Sequence, residues 1–152
     1  MEYKTLITKE KVDLIPYVKE YITNKPDTVI LIGCDSQNQK HDTLYAIVIG
    51  LYTPGKGAHV LFTKFNIPRE RDNFTRLFKE VQHSVELAEQ IREGTGVRAK
   101  YIDVDINNDK KYKSNTVLAS AIGYVTSFGY NFRHKHDTET PYMCYAADSL
   151  IK

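Results

Sequence analysis

Five acidic residues carry the chemistry this sequence offers: Asp35, Glu80, Asp103, Asp105 and Asp148. Asp35 directly follows the apolar run Val29-Ile-Leu-Ile-Gly-Cys34. Such a run suits a strand covered on both faces. Asp35 is then expected at the C-terminal end of a buried strand, where open α/β sheets hold their ligands. A carboxylate there is costly unless paired or metal-bound. The competing reading is a capping or turn Asp, with Ser36 and Gln37 continuing the loop.

The segment Tyr101-Ile-Asp-Val-Asp-Ile106 reads as the end of another strand. Alternation sends Asp103 and Asp105 to one face and Ile102, Val104 and Ile106 to the other. Asp105 lies nearer the C-terminal end, and the alternative is a solvent-facing acidic edge. Glu80 sits in a long helical pattern, in the row of Leu77, Ser84, Leu87 and Ile91, whereas Glu86 and Glu89 fall outside that row. A Glu among core-facing positions needs a partner, unless it snorkels from the flank to water. Asp148, in Tyr145-Ala-Ala-Asp-Ser-Leu150, has small neighbours that let a last helix approach a sheet closely. Taken alone, it also fits a solvated helix residue.

Asp35, Glu80, Asp105 and Asp148 come from four separate elements. Carboxylates suit hard cations such as Mg²⁺ or Mn²⁺. Two such ions ~3.5–4 Å apart can activate a water and stabilise the leaving oxygen in phosphodiester cleavage.

Periodicity supplies the elements that must position these acids. A helix is expected from Thr8 to Asn24, with Thr8 as a possible N-cap. Three strands follow, Val29–Cys34, Leu44–Tyr52 and Ala58–Phe65, read as an antiparallel meander with a polar loop from Ser36 to Asp42. A helix from about Asp72 to Glu93 leads to a strand from Arg98 to Ile106. A helix from Ser114 to Phe128, a short strand from Tyr130 to Lys135 and a last helix after Pro141 complete the chain.

The right-handed crossover rule lays the fourth strand parallel to the first, so Asp35 and Asp105 converge if those strands are neighbours. The result is an α/β fold: a mixed five-stranded sheet with helices on both faces and an extra N-terminal helix. This is the ribonuclease H-like arrangement, although periodicity alone leaves other α/β orders open. The 152 residues read as a single domain, with 1–27 as a helical extension.

Composition narrows the function classes. The net charge is only +2, so a nucleic-acid partner must be met by local positive charge. No stretch approaches the ~20 apolar residues of a membrane span, and the first residues lack the apolar core of an export signal. Cys34 and Cys144 form no C-x-x-C pair and read as buried small residues in a reducing cytoplasm. Lys110, Lys111 and Lys113 could touch phosphates, and Arg133-His-Lys-His136 could assist product release. A solvated charge run is the simpler reading of both.

Gly33-Cys-Asp-Ser-Gln37 resembles the G-x-D-S-Q segment of the YkuK-like family, small bacterial and phage proteins described as predicted ribonuclease H-like nucleases. The resemblance continues through Val104-Asp-Ile106, through Ala147-Asp148 with Lys152 beyond it, and through the Leu77…Glu80…Ser84 spacing, covering residues 29–152. It implies a ribonuclease H-like fold and a nuclease-type metal site of Asp35, Glu80, Asp105 and Asp148. Asp103 adds an acid one strand-step earlier and leaves open which of the pair faces the metal. Asp103-Val-Asp105 is also similar to the D-x-D of haloacid-dehalogenase-type phosphatases, but here it lies on the fourth strand and continues Ile-Asn. The leading expectation is a metal-dependent nuclease acting on RNA, an RNA–DNA hybrid or branched DNA. The alternative is a non-catalytic nucleic-acid or protein-binding module on the same fold.

Overall fold

The computed structural model describes residues 1–105, 112–133 and 140–152, with the side chains of 112–115 left out. The chain begins with two short strands, β1 (Tyr3–Thr5) and β2 (Lys11–Val12), followed by α1 (Leu14–Asn24). The helix expected from Thr8 therefore starts six residues later. Pro16 explains the shift: in a helix begun at Thr8 it would interrupt the interior hydrogen bonds, whereas after Leu14 it falls in the first turn, where no N–H is needed. The freed segment folds as a hairpin, with Tyr3 opposite Val12 and Lys4 opposite Phe62.

The meander follows as β3 (Val29–Asn38), β4 (Asp42–Thr53) and β5 (Gly57–Pro68). The strands run further than expected, through most of the polar segment after Cys34, because Ser36, Gln37 and Asn38 pair with Tyr45, Leu44 and Thr43. Then come α2 (Asn73–Thr95), β6 (Tyr101–Val104), α3 (Tyr112–Ser127), β7 (Phe132–Arg133) and α4 (Met143–Ile151). Asp72 caps α2 by accepting from the Thr75 amide, and Gly96 closes it in the left-handed conformation.

The strands form one mixed sheet in the order β2-β1-β5-β4-β3-β6-β7. The sheet has seven strands rather than five, the added pair being the N-terminal hairpin on the β5 edge. As expected, β6 lies parallel to β3. On one face Ile30, Ile32 and Cys34 pack with Ile47, Ile49, Ile102 and Val104 against α1, α2 and α3. On the other face, Leu31 and Val48 pack against Met143 and Ala147 of α4.

Gly33 lets α4 come close to the sheet. A Cβ there would lie 2.9 Å from Met143 C and Cys144 N, nearer than packed atoms tolerate. The two cysteines are free and buried, as expected. Among the described residues no helix is long and apolar enough to cross a membrane.

Candidate functional site

Strands β3 and β6 stay paired up to Cys34 opposite Val104. One residue further on each strand stand Asp35 and Asp105. Here β3 continues beside β4 but loses its β6 neighbour, which opens a crevice at the strand ends. Asp35 has the parity of Leu31 and Gly33, so it points to the α4 side of the sheet. Asp148, on α4, completes the set. A pocket there is lined by Asp35, Ser36, Gln37, Arg76, Leu77, Asp105, Asp148, Ile151 and Lys152.

The electrostatics reflect this crowding. Burial, then the hydrogen bond and charge of Asp148 and the charge of Asp105, push the Asp35 carboxyl up to about 7, against the pull of the Ser36 amide at 2.8 Å. Asp148 moves the other way, because Lys152 holds it with Nζ 2.7 Å from Oδ2. The proton of the Asp35–Asp148 pair therefore rests on Asp35, which donates to Asp148. Asp105, exposed at the pocket rim, is raised by desolvation and by Asp148.

Glu80 does not line the pocket. It lies behind Ser36 on the α2 side of β3 and is 2% exposed. Ser36 Oγ donates to Glu80 Oε2, and Arg76 Nη1 lies 3.9 Å from the same oxygen. Arg76 Nη1 also donates to the Ser36 hydroxyl at 2.8 Å and to its carbonyl at 3.2 Å. Glu80 Oε1 is buried with no hydrogen-bond partner among the described residues, as are Arg76 Nε and Ser84 Oγ. Burial first, then the charge of Asp35, raises the Glu80 carboxyl well above its usual range.

Asp103 has a different environment from the pocket acids. It shares the parity of Asp105, as the alternation predicts, but lies one step back, under the start of α4. Arg133 donates to it through Nε at 2.7 Å and Nη2 at 2.8 Å, and the Met143 amide adds a bond of 2.7 Å. Both side chains are buried. Arg133, expected at a solvated strand end, thus belongs to a buried ion pair and also donates to the Pro141 carbonyl at 2.7 Å.

Ser36 and Arg76 were not singled out as site residues in the sequence. The signal was present: Arg76 precedes Glu80 by one helical turn, the spacing of a helical ion pair. Ile106, Lys110, Lys111, His134, Lys135 and His136 lie outside the described residues, as do the side chains of Lys113 and Ser114.

Among the described residues, no three His, Cys, Asp or Glu side chains gather closely enough to form a ready-made ion site. The donor chemistry nevertheless fits a hard cation: the acids offer oxygen ligands, and Glu80 Oε1 is a buried oxygen lacking a partner.

A family model described as ribonuclease H-like matches residues 13–147. The chain belongs to this ribonuclease H-like family. Among solved structures, it is similar to the N-terminal RNase H domain of a Mycobacterium tuberculosis protein, solved as a fusion with maltose-binding protein. That match has 14% identity and a TM-score of 0.39, over 82% of this chain and 96% of that one. It is also similar to the prototype foamy virus protease–reverse transcriptase, with 13% identity and a TM-score of 0.43 over 81% of this chain. This chain spans 19% of the length of the viral protein. No curated protein matches the sequence.

Proposed function

We propose that this protein is a metal-dependent nuclease that hydrolyses phosphodiester bonds in RNA, an RNA–DNA hybrid or branched DNA. The observation that carries the reading is the pocket where Asp35, Asp105 and Asp148 meet at the open end of β3 and β6. Membership of the ribonuclease H-like family supports it. The Gly33–Gln37 motif supports the finer placement among YkuK-like proteins.

Asp35, Asp105 and Asp148 would hold Mg²⁺ or Mn²⁺, with Glu80 as the fourth acid. Divalent ions, when bound, supply an activated water and charge stabilisation for the leaving oxygen. Asp103 is excluded from the proposed ligand set because Arg133 and the Met143 amide occupy its carboxylate. Asp35 lies at the centre of the set, facing Asp105 from the adjacent strand and Asp148 from the helix above. Lys152 neutralises Asp148 in the metal-free state and offers a cation at the rim for a substrate phosphate.

The test is cleavage of labelled single-stranded RNA, RNA–DNA hybrid and branched DNA with Mg²⁺, Mn²⁺ or chelator. Ion-dependent cleavage of one class supports the proposal. Binding without cleavage under every ion condition favours the non-catalytic binding module.

A further inference from the structure

The fourth acid is held in an unusual way. Glu80 is almost wholly buried, yet its two oxygens differ: Oε2 takes the Ser36 hydroxyl and faces Arg76, while Oε1 has no partner among the described residues. A buried carboxylate oxygen without a donor costs free energy, so the fold accepts that cost to keep Glu80 in place. The residues that hold Glu80 also line the acid pocket, since both Ser36 and Arg76 belong to its wall. Ser36 lies between the two acids in the chain: its amide donates to Asp35 and its hydroxyl donates to Glu80, on opposite sides of β3.

We propose that Ser36 and Arg76 are positioning residues that latch Glu80 behind the pocket. In this arrangement Glu80 joins a bound ion only by giving up the Ser36 hydroxyl and the Arg76 guanidinium. The inference rests on reading the pocket as an ion site, and it assigns the latch a direction. Holding Glu80 back weakens ion binding, because each binding event must break a charge-assisted hydrogen bond. A support that instead presented Glu80 to the ion would strengthen binding.

The two directions are separated by Mn²⁺ affinity, measured by titration calorimetry without substrate. Ser36→Ala removes the hydroxyl and is expected to tighten Mn²⁺ binding by about tenfold, the scale of one hydrogen bond to a charged group. Ser36→Thr keeps the hydroxyl and should bind as wild type. In a Glu80→Gln background the gain from Ser36→Ala should vanish, because no carboxylate remains to be released. Unchanged or weaker binding in Ser36→Ala overturns the latch, as does a gain that persists with Glu80→Gln. If Ser36→Ala does not fold, Arg76→Gln carries the same test with the same expected sign. Wild-type Mn²⁺ affinity in Asp35→Asn would instead remove the ion from this pocket, overturning the site reading and the latch with it.

Discussion

Arg133 grips Asp103 through two parallel hydrogen bonds of 2.7 and 2.8 Å, wholly inside the protein. The same guanidinium holds the Pro141 carbonyl, and the same carboxylate accepts the Met143 amide. The pair therefore fastens the start of α4 to β6 and β7, and α4 delivers Asp148 to the pocket two turns later.

This attachment sets a stability expectation. Breaking a buried ion pair from one side leaves the other charge uncompensated, at a cost of about 3–5 kcal/mol. Asp103→Asn should lose stability on that scale in urea unfolding. The double replacement Asp103→Leu/Arg133→Met should recover much of it. A loss of less than about 1 kcal/mol in Asp103→Asn would mean that the pair does not secure α4.

The fold was readable largely because hydrophobic periodicity reports burial directly. The run Val29–Cys34 and the rows of α2 are core positions, and they gave the central strand and the long helix at nearly their true limits. The hairpin of β1 and β2 was hidden because its strands are too short for an alternation to register. Pro16 could have corrected the start of α1. Among the acids, same-face geometry for Asp103 and Asp105 followed from the pleat. Their different environments depended on Arg133, thirty residues away, and on a helix that Gly33 admits. No local pattern carries that information. Glu80 was legible as a core-facing acid, but its holders, Ser36 and Arg76, were not.

The acid pocket predicts a pH dependence of the metal-free fold. The Asp35 carboxyl titrates at about 7 in the folded protein and near its ordinary value of 3.8 when unfolded. Between those values the folded state holds a proton that the unfolded state has lost, so stability falls as pH rises. This contribution is fully present below about pH 4, declines toward pH 7 and is constant above it. Asp148, lowered by Lys152, acts only below that window. In chelator, the stability gained by Asp35→Asn over wild type should grow from pH 4 to pH 7. A pH-independent difference would contradict the crowding of Asp35 by its neighbours.

Ion binding should relieve the same repulsion. Mg²⁺ or Mn²⁺ should raise the melting temperature of the wild type in proportion to ion concentration. The shift should be much smaller in Asp105→Asn, which removes one wall of the pocket. Equal shifts in the two proteins would exclude Asp105 as a ligand.

Glu80 and Glu86 lie on the same helix but in opposite surroundings, the first buried and the second exposed. Glu80→Gln should lose most ion-dependent cleavage, while Glu86→Gln should behave as wild type. Equal activity in both variants would reduce the ligand set to Asp35, Asp105 and Asp148.

The central claim is tested most directly at Asp35, by measuring Mn²⁺-dependent cleavage in wild type and Asp35→Asn under single-turnover conditions, on whichever substrate the wild type cuts. Asn keeps the shape of the side chain and removes its negative charge, so the fold should survive, as judged by an unfolding transition at least as stable at pH 7. Cleavage should fall by at least about a hundredfold, the scale expected for losing one preorganised electrostatic group. Wild-type cleavage in folded Asp35→Asn would contradict the assignment of this pocket as a nuclease site.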